Sequence, residues 1–348
     1  MTWLQRHVRP EQIRELSLLL LIAVAILIFG SLIDGYYTFR TFNRIASSVA
    51  IITVVAVGQT LVVLTRNIDL SVGSIVGFTA YFVGTLIAAH HDINPLLAAA
   101  VAIGLGAALG AINGVLVAWG AVPAVVVTLG TLAIYRGVLV DLSGARTVTT
   151  DSLPQWLIDL PLLNVAPFGG LDIRAPFVFA LLIVVVFHLG TAYLSFARRL
   201  YAIGSNPEAA QLIGLPMKRL VFLAFVVCGA LSGLGGFMML ARFGNITVEA
   251  GRGLELSVVA AVVVGGVNIF GGSGTVIGAM LGAVLIGALE QSLFRLGISE
   301  FWLSAVLGLL ILLAVASDAI ILKRLRALWA RSELKLLAPA NKGSARPS

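Results

Sequence analysis

Long apolar stretches separated by short polar links run through almost the whole chain. A helix needs about 20 apolar residues to cross the roughly 30 Å hydrocarbon core of a bilayer, and ten stretches approach that length. The pattern therefore predicts an all-α integral membrane protein with about ten transmembrane helices. The predicted spans are 16–33, 45–64, 70–89, 96–119, 122–140, 176–193, 220–240, 254–270, 271–289 and 301–321.

The composition agrees with this pattern and excludes a soluble protein. Hydrophobic residues make up 59% of the 348 residues, charged residues make up 11%, and the mean hydropathy is +1.04. So little polar surface cannot cover soluble domains of this length. The net charge of +7 suggests no nucleic-acid partner, because the chain has neither a basic face nor a basic stripe interleaved with aromatic residues.

The basic residues are concentrated on one side of the predicted membrane. With the N terminus inside, fifteen of the 23 Lys and Arg residues lie on the cytoplasmic side, seven lie outside, and Arg136 lies within a span. This bias follows the positive-inside rule and predicts that both termini are cytoplasmic. It divides the chain into a cytoplasmic segment 1–15, a membrane domain 16–321 and a basic cytoplasmic tail 322–348.

Two loops are longer than the rest. The loop 143–175, which contains three prolines, is predicted to be external, and the loop 195–219 is predicted to be cytoplasmic. In the second loop, Ser205 or Asn206 can cap a helix that begins near Pro207 and ends at Gly214. We therefore predict a short helix lying at the cytoplasmic surface.

Glycines and polar residues interrupt several spans. Glycines recur at every fourth position, which favours close helix packing in lipid; they are Gly73 and Gly77, Gly106, Gly110 and Gly114, Gly229 and Gly233, and Gly274, Gly278 and Gly282. Polar residues break the apolar pattern at 65–74 and at 265–274. Non-helical backbone is tolerated at membrane depth only inside protein or beside a wet cavity, so these runs predict broken or re-entrant helices, with interfacial loops as the alternative.

Two ionisable groups lie in or near the predicted spans. A charge at the bilayer centre costs about 2.5 to 3.5 kcal/mol on insertion scales, so Arg136 and Asp69 each need a partner or water. Asp141 and Glu255 are candidate partners. The sequence leaves open whether these charges form structural ion pairs or line a translocation pathway.

The sequence contains no motif for catalysis or metal binding. It has no Walker A loop, no H-E-x-x-H run and no G-x-S-x-G run, so the chain is not expected to be an enzyme or to hydrolyse ATP itself. The four histidines have no metal-ligand spacing, and the single cysteine, Cys228, is expected to be a small apolar packing residue.

Several longer motifs carry a resemblance to a known family. They are GQTLVVLTRNIDLSVGSIVG from Gly58, NGVLVAW from Asn113, PAVVVTLGTLAIYRG from Pro123, YAIGSNPEAAQLIGL from Tyr201 and GLELSVVAAVVVGGVNIFGGSGTVIGAMLGA from Gly253. In this order they resemble the bacterial ABC sugar permeases, in particular the ribose-type family that includes rhamnose and autoinducer-2 permeases. The resemblance covers roughly residues 45–318.

The resemblance implies a permease subunit of a binding-protein-dependent importer in the bacterial inner membrane. A second permease subunit, identical or homologous, would complete the channel, an ABC ATPase would dock inside, and a periplasmic or lipid-anchored binding protein would deliver the sugar. The chain itself would need no cofactor, because the ATPase binds ATP and Mg²⁺.

The resemblance also implies roles for particular residues. The run from Glu208 to Gly214 resembles the EAA-x-x-x-G element that meets the ATPase. The expected ATPase-coupling loop is Ser205, Asn206, Pro207, Glu208, Ala209, Ala210 and Gly214. The expected translocation pathway is Asn67, Asp69, Ser71, Gly73, Asn268, Gly271 and Gly272, and Arg136 is an intramembrane charge of undecided role.

Other functions stay open at this stage. An ion-coupled secondary sugar transporter is disfavoured, because the acidic residues near spans lie toward their ends. A membrane enzyme acting on a lipid-linked substrate would need a cluster of acids or nucleophiles at one face, and the sequence shows none. Import of branched-chain amino acids also remains possible, and the sequence does not separate rhamnose, ribose and autoinducer-2 as substrates.

Overall fold

Helices make up most of the computed structural model, which describes residues 10–168, 171–299 and 301–316. The longer ones are α1 Pro10–Leu32, α2 Phe39–Leu64, α3 Val72–Ala89, α4 Pro95–Ala118, α5 Ala124–Ser143, α7 Ala175–Tyr193, α10 Met217–Phe243 and α12 Val276–Arg295. The shorter ones are α6 Gln155–Asp159, α8 Ser195–Ser205, α9 Pro207–Leu212, α11 Leu254–Val264 and α13 Phe301–Ala316.

Eight helices of the described residues are long and apolar enough to cross a membrane. They correspond to the predicted spans other than 254–270 and 301–321, and they confirm the all-α, multi-span fold class. The ninth predicted span, 271–289, starts later than expected, because α12 begins at Val276 after a non-helical stretch. For the tenth, α13 occupies 301–316, and residues 317–321 lie outside the described residues.

The centre of the bundle is α2. It packs against α10, α12, α7 and α11, and almost all of its most apolar stretch is buried. By contrast, at most 28% of the apolar stretch of α1, α4, α5 or α7 is buried, as expected for helices that face lipid. The protein core is therefore built around one central helix rather than between two equal layers.

The most extensive helix pair among the described residues is α4 with α10, and glycines make it possible. A Cβ added at Gly106 would overlap the Gly229 carbonyl oxygen, and one at Gly233 would overlap the Ala102 carbonyl oxygen. Close backbone approach of this kind is a main source of helix association in lipid, where apolar side chains gain little by contact. The predicted packing role of these glycine stripes is confirmed.

The two ends of the bundle can be named by the residues that meet there. At the Leu64 end, the Gly272 N–H donates to the Leu64 carbonyl oxygen at 3.1 Å. At the Val148 end, Val148 and Ile246 form an isolated antiparallel bridge with N–O distances of 3.0 and 2.9 Å. In the predicted orientation the Leu64 end is cytoplasmic and the Val148 end is external.

The predicted helical span 254–270 is wrong. The helix α11 ends at Val264, and its 11 residues rise only about 16 Å, which is roughly half a hydrocarbon core. The other half of the crossing is the non-helical segment 244–253, which runs inward from Ile246 at the Val148 end. The apolar pattern alone could not reveal that the helix is short, because residues 258–263 continue a helical pattern. The non-helical backbone precedes α11, where Gly251 and Gly253 both have positive φ.

The two long loops are folded. The loop after α5 contains two 3₁₀ turns at Thr150–Ser152 and Leu160–Leu162, α6, and a hairpin of β1 (Asn164–Phe168) and β2 (Leu171–Arg174). These strands are antiparallel, with Asn164 opposite Arg174 and an irregularity before Ala166. The loop after α7 holds two helices rather than the single one predicted, since α8 precedes α9.

Candidate coupling junction and translocation path

Three segments that are distant in sequence meet at the Leu64 end. They are the link 65–71 between α2 and α3, the end of α8 at Gly204 and Ser205, and the link 265–275 between α11 and α12. Each of them contains residues that the sequence predicted to be functional. We call this meeting point the coupling junction.

Arg66 holds the first two segments together. Its Nε donates to the Gly204 carbonyl oxygen at 2.6 Å, and its Nη2 donates to the Ser205 carbonyl oxygen at 3.0 Å. Arg66 itself has a φ of +67°, in the left-handed region that non-glycine residues rarely adopt. Backbone strain of this kind is retained where surrounding contacts fix the conformation, as these two bonds do.

The third segment contacts both of the others. The Ser205 Oγ donates to the Gly272 carbonyl oxygen at 3.2 Å, and the Tyr201 hydroxyl donates to the Gly274 carbonyl oxygen at 2.9 Å. A Cβ on Gly204 would overlap both the Leu64 carbonyl oxygen and the Gly272 nitrogen. Glycine at position 204 therefore lets three backbones approach at one point.

The two helices of the loop 195–219 are set by ordinary capping and amphipathic signals. Ala197, Leu200 and Ile203 form the buried face of α8, while Arg198 and Arg199 are exposed. The Asn206 side chain caps α9 by accepting from the Ala209 N–H at 3.0 Å, with Pro207 in the first turn.

Past the last turn of α9, Gly214 has a φ of +73°, which suits the end of a helix. The predicted cap at Asn206 and the predicted stop at Gly214 are therefore both present in the structure.

A cavity of about 450 Å³ opens beside the coupling junction. This is within the usual size range of small-molecule sites. Its walls come from the links 65–71, 119–123 and 265–275, together with the first turn of α5. The lining residues are Arg66, Asn67, Ile68, Pro123, Ala124, Val125, Ile269 and Phe270.

Behind the cavity lies a polar cluster that is fully buried. Asp69 Oδ1 accepts from the Ser71 N–H at 2.9 Å and from the Ser71 hydroxyl at 2.6 Å. Asn113, on α4, donates from Nδ2 to the Ser71 Oγ at 2.8 Å and to Asp69 Oδ2 at 3.5 Å. Asp69, Ser71 and Asn113 each have no exposed surface.

Gln59 on α2 joins the same cluster. With its amide oriented to satisfy both groups, it donates to the Asp69 carbonyl oxygen at 3.2 Å and accepts from the Asp69 N–H at 3.1 Å. Asp69 lies in the link between α2 and α3, outside both helices. Burial raises the pKa of its carboxyl group, whereas the hydrogen bonds from Ser71 and Asn113 act in the opposite direction.

Arg136 on α5 faces the non-helical half of the broken crossing. Its Nη1 donates to the carbonyl oxygens of Val248 and Ala250, at 2.7 Å in each case. These carbonyl groups lack helical partners, and unpaired backbone groups are costly at membrane depth. The neighbouring helix leaves room for the segment, because a Cβ on Gly77 would overlap the Ala250 carbonyl oxygen.

Within the described part of the chain, Arg136 forms no ion pair with Asp141 or Glu255, the two acids predicted as its partners. Glu255 and Glu249 act on it electrostatically. The charge is thus used to satisfy backbone oxygens, which the sequence did not predict.

The predicted pathway residues fall into three environments. Asn67 lines the cavity, Asp69 and Ser71 are buried behind it, and Gly73 lies against the non-helical segment, where an added Cβ would meet Glu255. Asn268 shapes the link 265–275 by accepting from the Phe270 N–H at 2.9 Å. Gly271 and Gly272 lie against Arg66 and Ser205 in the coupling junction.

Four contributors to these sites were not predicted: Gln59, Asn113, Gly204 and Arg66. Gln59 and Asn113 had a usable signal, since each is a polar amide within an apolar span. Arg66 figured only in the count of charges. Gly204 carries no pattern of its own, because its role depends on two backbones that are far away in sequence.

Comparison with known proteins decides which family has this architecture. The sequence profile of the family described as "Branched-chain amino acid transport system / permease component" matches residues 41–315. The chain belongs to this permease family. The permease is accordingly a multi-pass membrane protein, and the predicted resemblance and membrane location are confirmed.

Individual relatives are similar over most of their length. The permease is 35% identical over 308 residues to "Autoinducer 2 import system permease protein LsrC" of Yersinia enterocolitica, covering 88% of this chain and 82% of the relative. It is 36% identical over 305 residues to the protein of the same name from Salmonella typhi, covering 88% and 85%. No solved structure matches the chain at a significant level.

Proposed function

We propose that this permease is the membrane-spanning subunit of an ATP-driven importer that carries autoinducer-2 or a related small sugar or polyol. The observation that carries the proposal is the similarity over 88% of the chain to relatives named as autoinducer-2 import permeases. Rhamnose, ribose and branched-chain amino acids are the competing substrates, the last because the family description names them.

The loop 195–219 supports an ATPase docking there. Leu212 and Ile213, at the end of α9, are 89% and 73% exposed. They lie at the Leu64 end, away from the lipid-facing surface of the long helices. Exposed apolar side chains in such a place favour burial against a protein partner.

The coupling junction supports the transmission of movement from that partner. Gly204 and Ser205, shortly before α9, are bonded to the links 65–71 and 265–275, so a displacement of the loop would act directly on both. Both links also form walls of the 450 Å³ cavity. Opening and closing of this cavity by the loop is the proposed final step of transport.

The proposed assembly contains four kinds of component. A second permease subunit, identical or homologous, completes the channel. An ABC ATPase binds the coupling loop and holds ATP and Mg²⁺, so the chain needs no cofactor of its own. A solute-binding protein, periplasmic or lipid-anchored, delivers the substrate at the Val148 end.

The proposal is tested by purifying the full chain in mild detergent with its co-purifying partners and reconstituting them in proteoliposomes. Uptake of autoinducer-2 should require internal ATP and should continue when a protonophore is added. Glu208→Ala combined with Gly214→Pro should remove the ATPase from the preparation, because proline cannot adopt the positive φ at position 214. Asp159→Ala, at the opposite end, is the matched control and should retain the ATPase.

One result would contradict the ATP-driven importer, and two others would change its substrate. Uptake that stops with the protonophore while ATP is maintained would favour the ion-coupled carrier. If excess ribose or rhamnose abolishes autoinducer-2 uptake and excess leucine does not, the importer stands and its preferred substrate is a sugar. Competition by leucine alone would move the substrate to branched-chain amino acids.

A further inference from the structure

A second cavity, of about 480 Å³, lies at the Val148 end and belongs to neither the coupling junction nor the polar cluster. The first two turns of α2 form one wall. The turn at Pro161 and Leu162, the start of α7 and the last turn of α10 form the others. The lining residues are Phe39, Arg40, Asn43, Arg44, Ser47, Pro161, Leu162, Arg174 and Arg242.

Four of these residues are arginines, and three of them have no carboxylate partner among the described residues. Arg40, Arg44 and Arg174 make no side-chain hydrogen bond or ion pair with any other residue that the structure describes. Arg242 lies over the Phe243 ring at 4.9 Å, and Glu290 acts on it electrostatically from α12. Glu290 in turn accepts a hydrogen bond from the Ser257 hydroxyl.

Four like charges around one cavity repel each other. The repulsion is weakened in bulk water, but it rises as the effective dielectric constant falls beside a protein wall and a lipid phase. Ordinary arginines on a protein surface relieve such repulsion with nearby carboxylates, and in the described part of this cavity wall none is in contact. An anion bound in the cavity would supply the missing negative charge.

The chemistry of the wall selects the kind of anion. Guanidinium groups present paired N–H donors that match the oxygens of phosphate in a bidentate manner. The remaining polar side chains of the wall, Asn43 and Ser47, are neutral and can donate further hydrogen bonds. A tetrahedral phosphate can use donors arriving from α2, α7 and α10 together, whereas a single planar carboxylate has only two oxygens to offer.

The surroundings of the cavity indicate where the phosphate comes from. Phe39 and Phe42 on α2 are 54% and 43% exposed beside the arginines. The Phe42 and Phe177 rings are arranged edge to face, with their centroids 6.5 Å apart. Tyrosine and tryptophan are enriched at the headgroup level of membrane proteins, and Tyr37, two residues before Phe39, is 67% exposed. Basic pockets between transmembrane helices on the cytoplasmic side bind anionic lipid headgroups. The same match of charge applies to an anionic lipid of the outer leaflet.

We propose that this four-arginine cavity binds a phosphate group, supplied by the headgroup of an anionic membrane lipid. The acyl chains of that lipid would lie over Phe42 and Phe177. The bound lipid would bridge α2, the central helix of the bundle, to α7 and α10. This site is independent of the transported substrate and of the ATPase.

The test uses the full chain in lipid-free maltoside detergent, with phosphatidylglycerol as the probe and native mass spectrometry to count bound lipid. Arg40→Gln combined with Arg44→Gln should weaken phosphatidylglycerol binding about 30-fold, from roughly 1 kcal/mol for each basic residue near an anionic lipid surface. Arg198→Gln combined with Arg199→Gln is the matched control. It removes two adjacent exposed arginines at the opposite end and should leave binding unchanged.

A second arm distinguishes a lipid from a free anion. Phosphatidylcholine with the same acyl chains should bind more weakly than phosphatidylglycerol, because its choline group carries a compensating charge. Inorganic phosphate at millimolar concentration should displace phosphatidylglycerol from the wild type. If inorganic phosphate raises the melting temperature of the wild type but not of the variant, and phosphatidylglycerol does not bind, the phosphate site stands and its lipid source is refuted.

The proposal is overturned if the two double variants retain the same amount of phosphatidylglycerol and respond equally to inorganic phosphate. It is also overturned if neither phosphatidylglycerol nor inorganic phosphate binds the wild type. Should the Arg40 and Arg44 double variant not elute as a folded species, the single change Arg174→Gln tests the same cavity from another element. Its expected effect is about fivefold.

Discussion

The Arg66 guanidinium binds the Gly204 carbonyl oxygen at 2.6 Å, across 138 residues of sequence. The first residue follows the central helix α2, and the second ends the helix that leads into the coupling loop. This bond joins the loop to the cavity wall, of which Arg66 is a part. Its position explains why Arg66 is kept in a left-handed conformation, at a cost of about 1 to 2 kcal/mol.

Replacement of Arg66 should separate ATP hydrolysis from transport. Arg66→Gln removes two charged hydrogen bonds, each worth about 1.5 to 3 kcal/mol, while leaving the loop's outer surface intact. We expect uptake to fall about tenfold or more while the ATPase still co-purifies and hydrolyses ATP. Parallel assays of uptake and phosphate release in proteoliposomes measure the ratio.

Arg198→Gln provides the matched control, because Arg198 lies in the same loop, is exposed and makes no side-chain hydrogen bond with the described residues. Its ratio of uptake to hydrolysis should equal that of the wild type. Equal ratios for Arg66→Gln and wild type would show that the junction does not transmit movement.

The glycine contact between α4 and α10 can be tested on one helix. Gly106→Ala should lower the free energy of unfolding by about 1 to 3 kcal/mol, because its Cβ would overlap the Gly229 carbonyl oxygen. Gly104→Ala, one half-turn away, meets no atom within 4 Å and should be neutral or stabilising. Thermal unfolding in detergent compares the two, and equal melting temperatures would refute the packing argument.

The buried polar cluster predicts a rescue between two positions. Asp69→Asn should destabilise the protein by about 2 kcal/mol, because it replaces an acceptor of the Asn113 amide with a second donor. Adding Asn113→Asp restores a donor and acceptor pair and should recover at least half of that loss. A double-mutant cycle measured by thermal unfolding gives the coupling, and strictly additive effects would show that the two side chains act independently.

Arg136 should control access to the non-helical half of the broken crossing. In a Cys228→Ser background, a cysteine at Val248 reports on the segment by its rate of labelling. Arg136→Met keeps the side-chain length but removes both hydrogen bonds, so labelling should rise about tenfold through local opening. The exposed Arg146, changed to Met, is the control, and a labelling rate that is unchanged by Arg136→Met would exclude this role.

Much of the fold could be predicted from sequence, because lipid imposes a simple rule on helix length and composition. Seven of the eight long helices begin or end within a few residues of the bounds of a predicted apolar span. The loop helix α9 has a standard cap at Asn206. Both signals are local, since each depends on residues within one or two turns.

The broken crossing and the coupling junction could not be predicted in this way. Residues 254–270 are apolar enough to be taken for one span, and the break lies before them, where the segment 244–253 depends on Arg136 and Gly77 from other helices. The junction likewise depends on contacts between residues more than 60 positions apart. Periodicity carries no information about such partners.

All five hydrogen bonds that join the coupling junction end on main-chain carbonyl oxygens, namely those of Gly204, Ser205, Leu64, Gly272 and Gly274. A carbonyl oxygen is present whatever side chain its residue carries. Substitutions on the outward surface of the loop could therefore suit it to a different ATPase, while the hydrogen bonds behind that surface are kept. Under the proposed function, the surface that selects the ATPase and the linkage that uses its movement would then be separate parts of the permease.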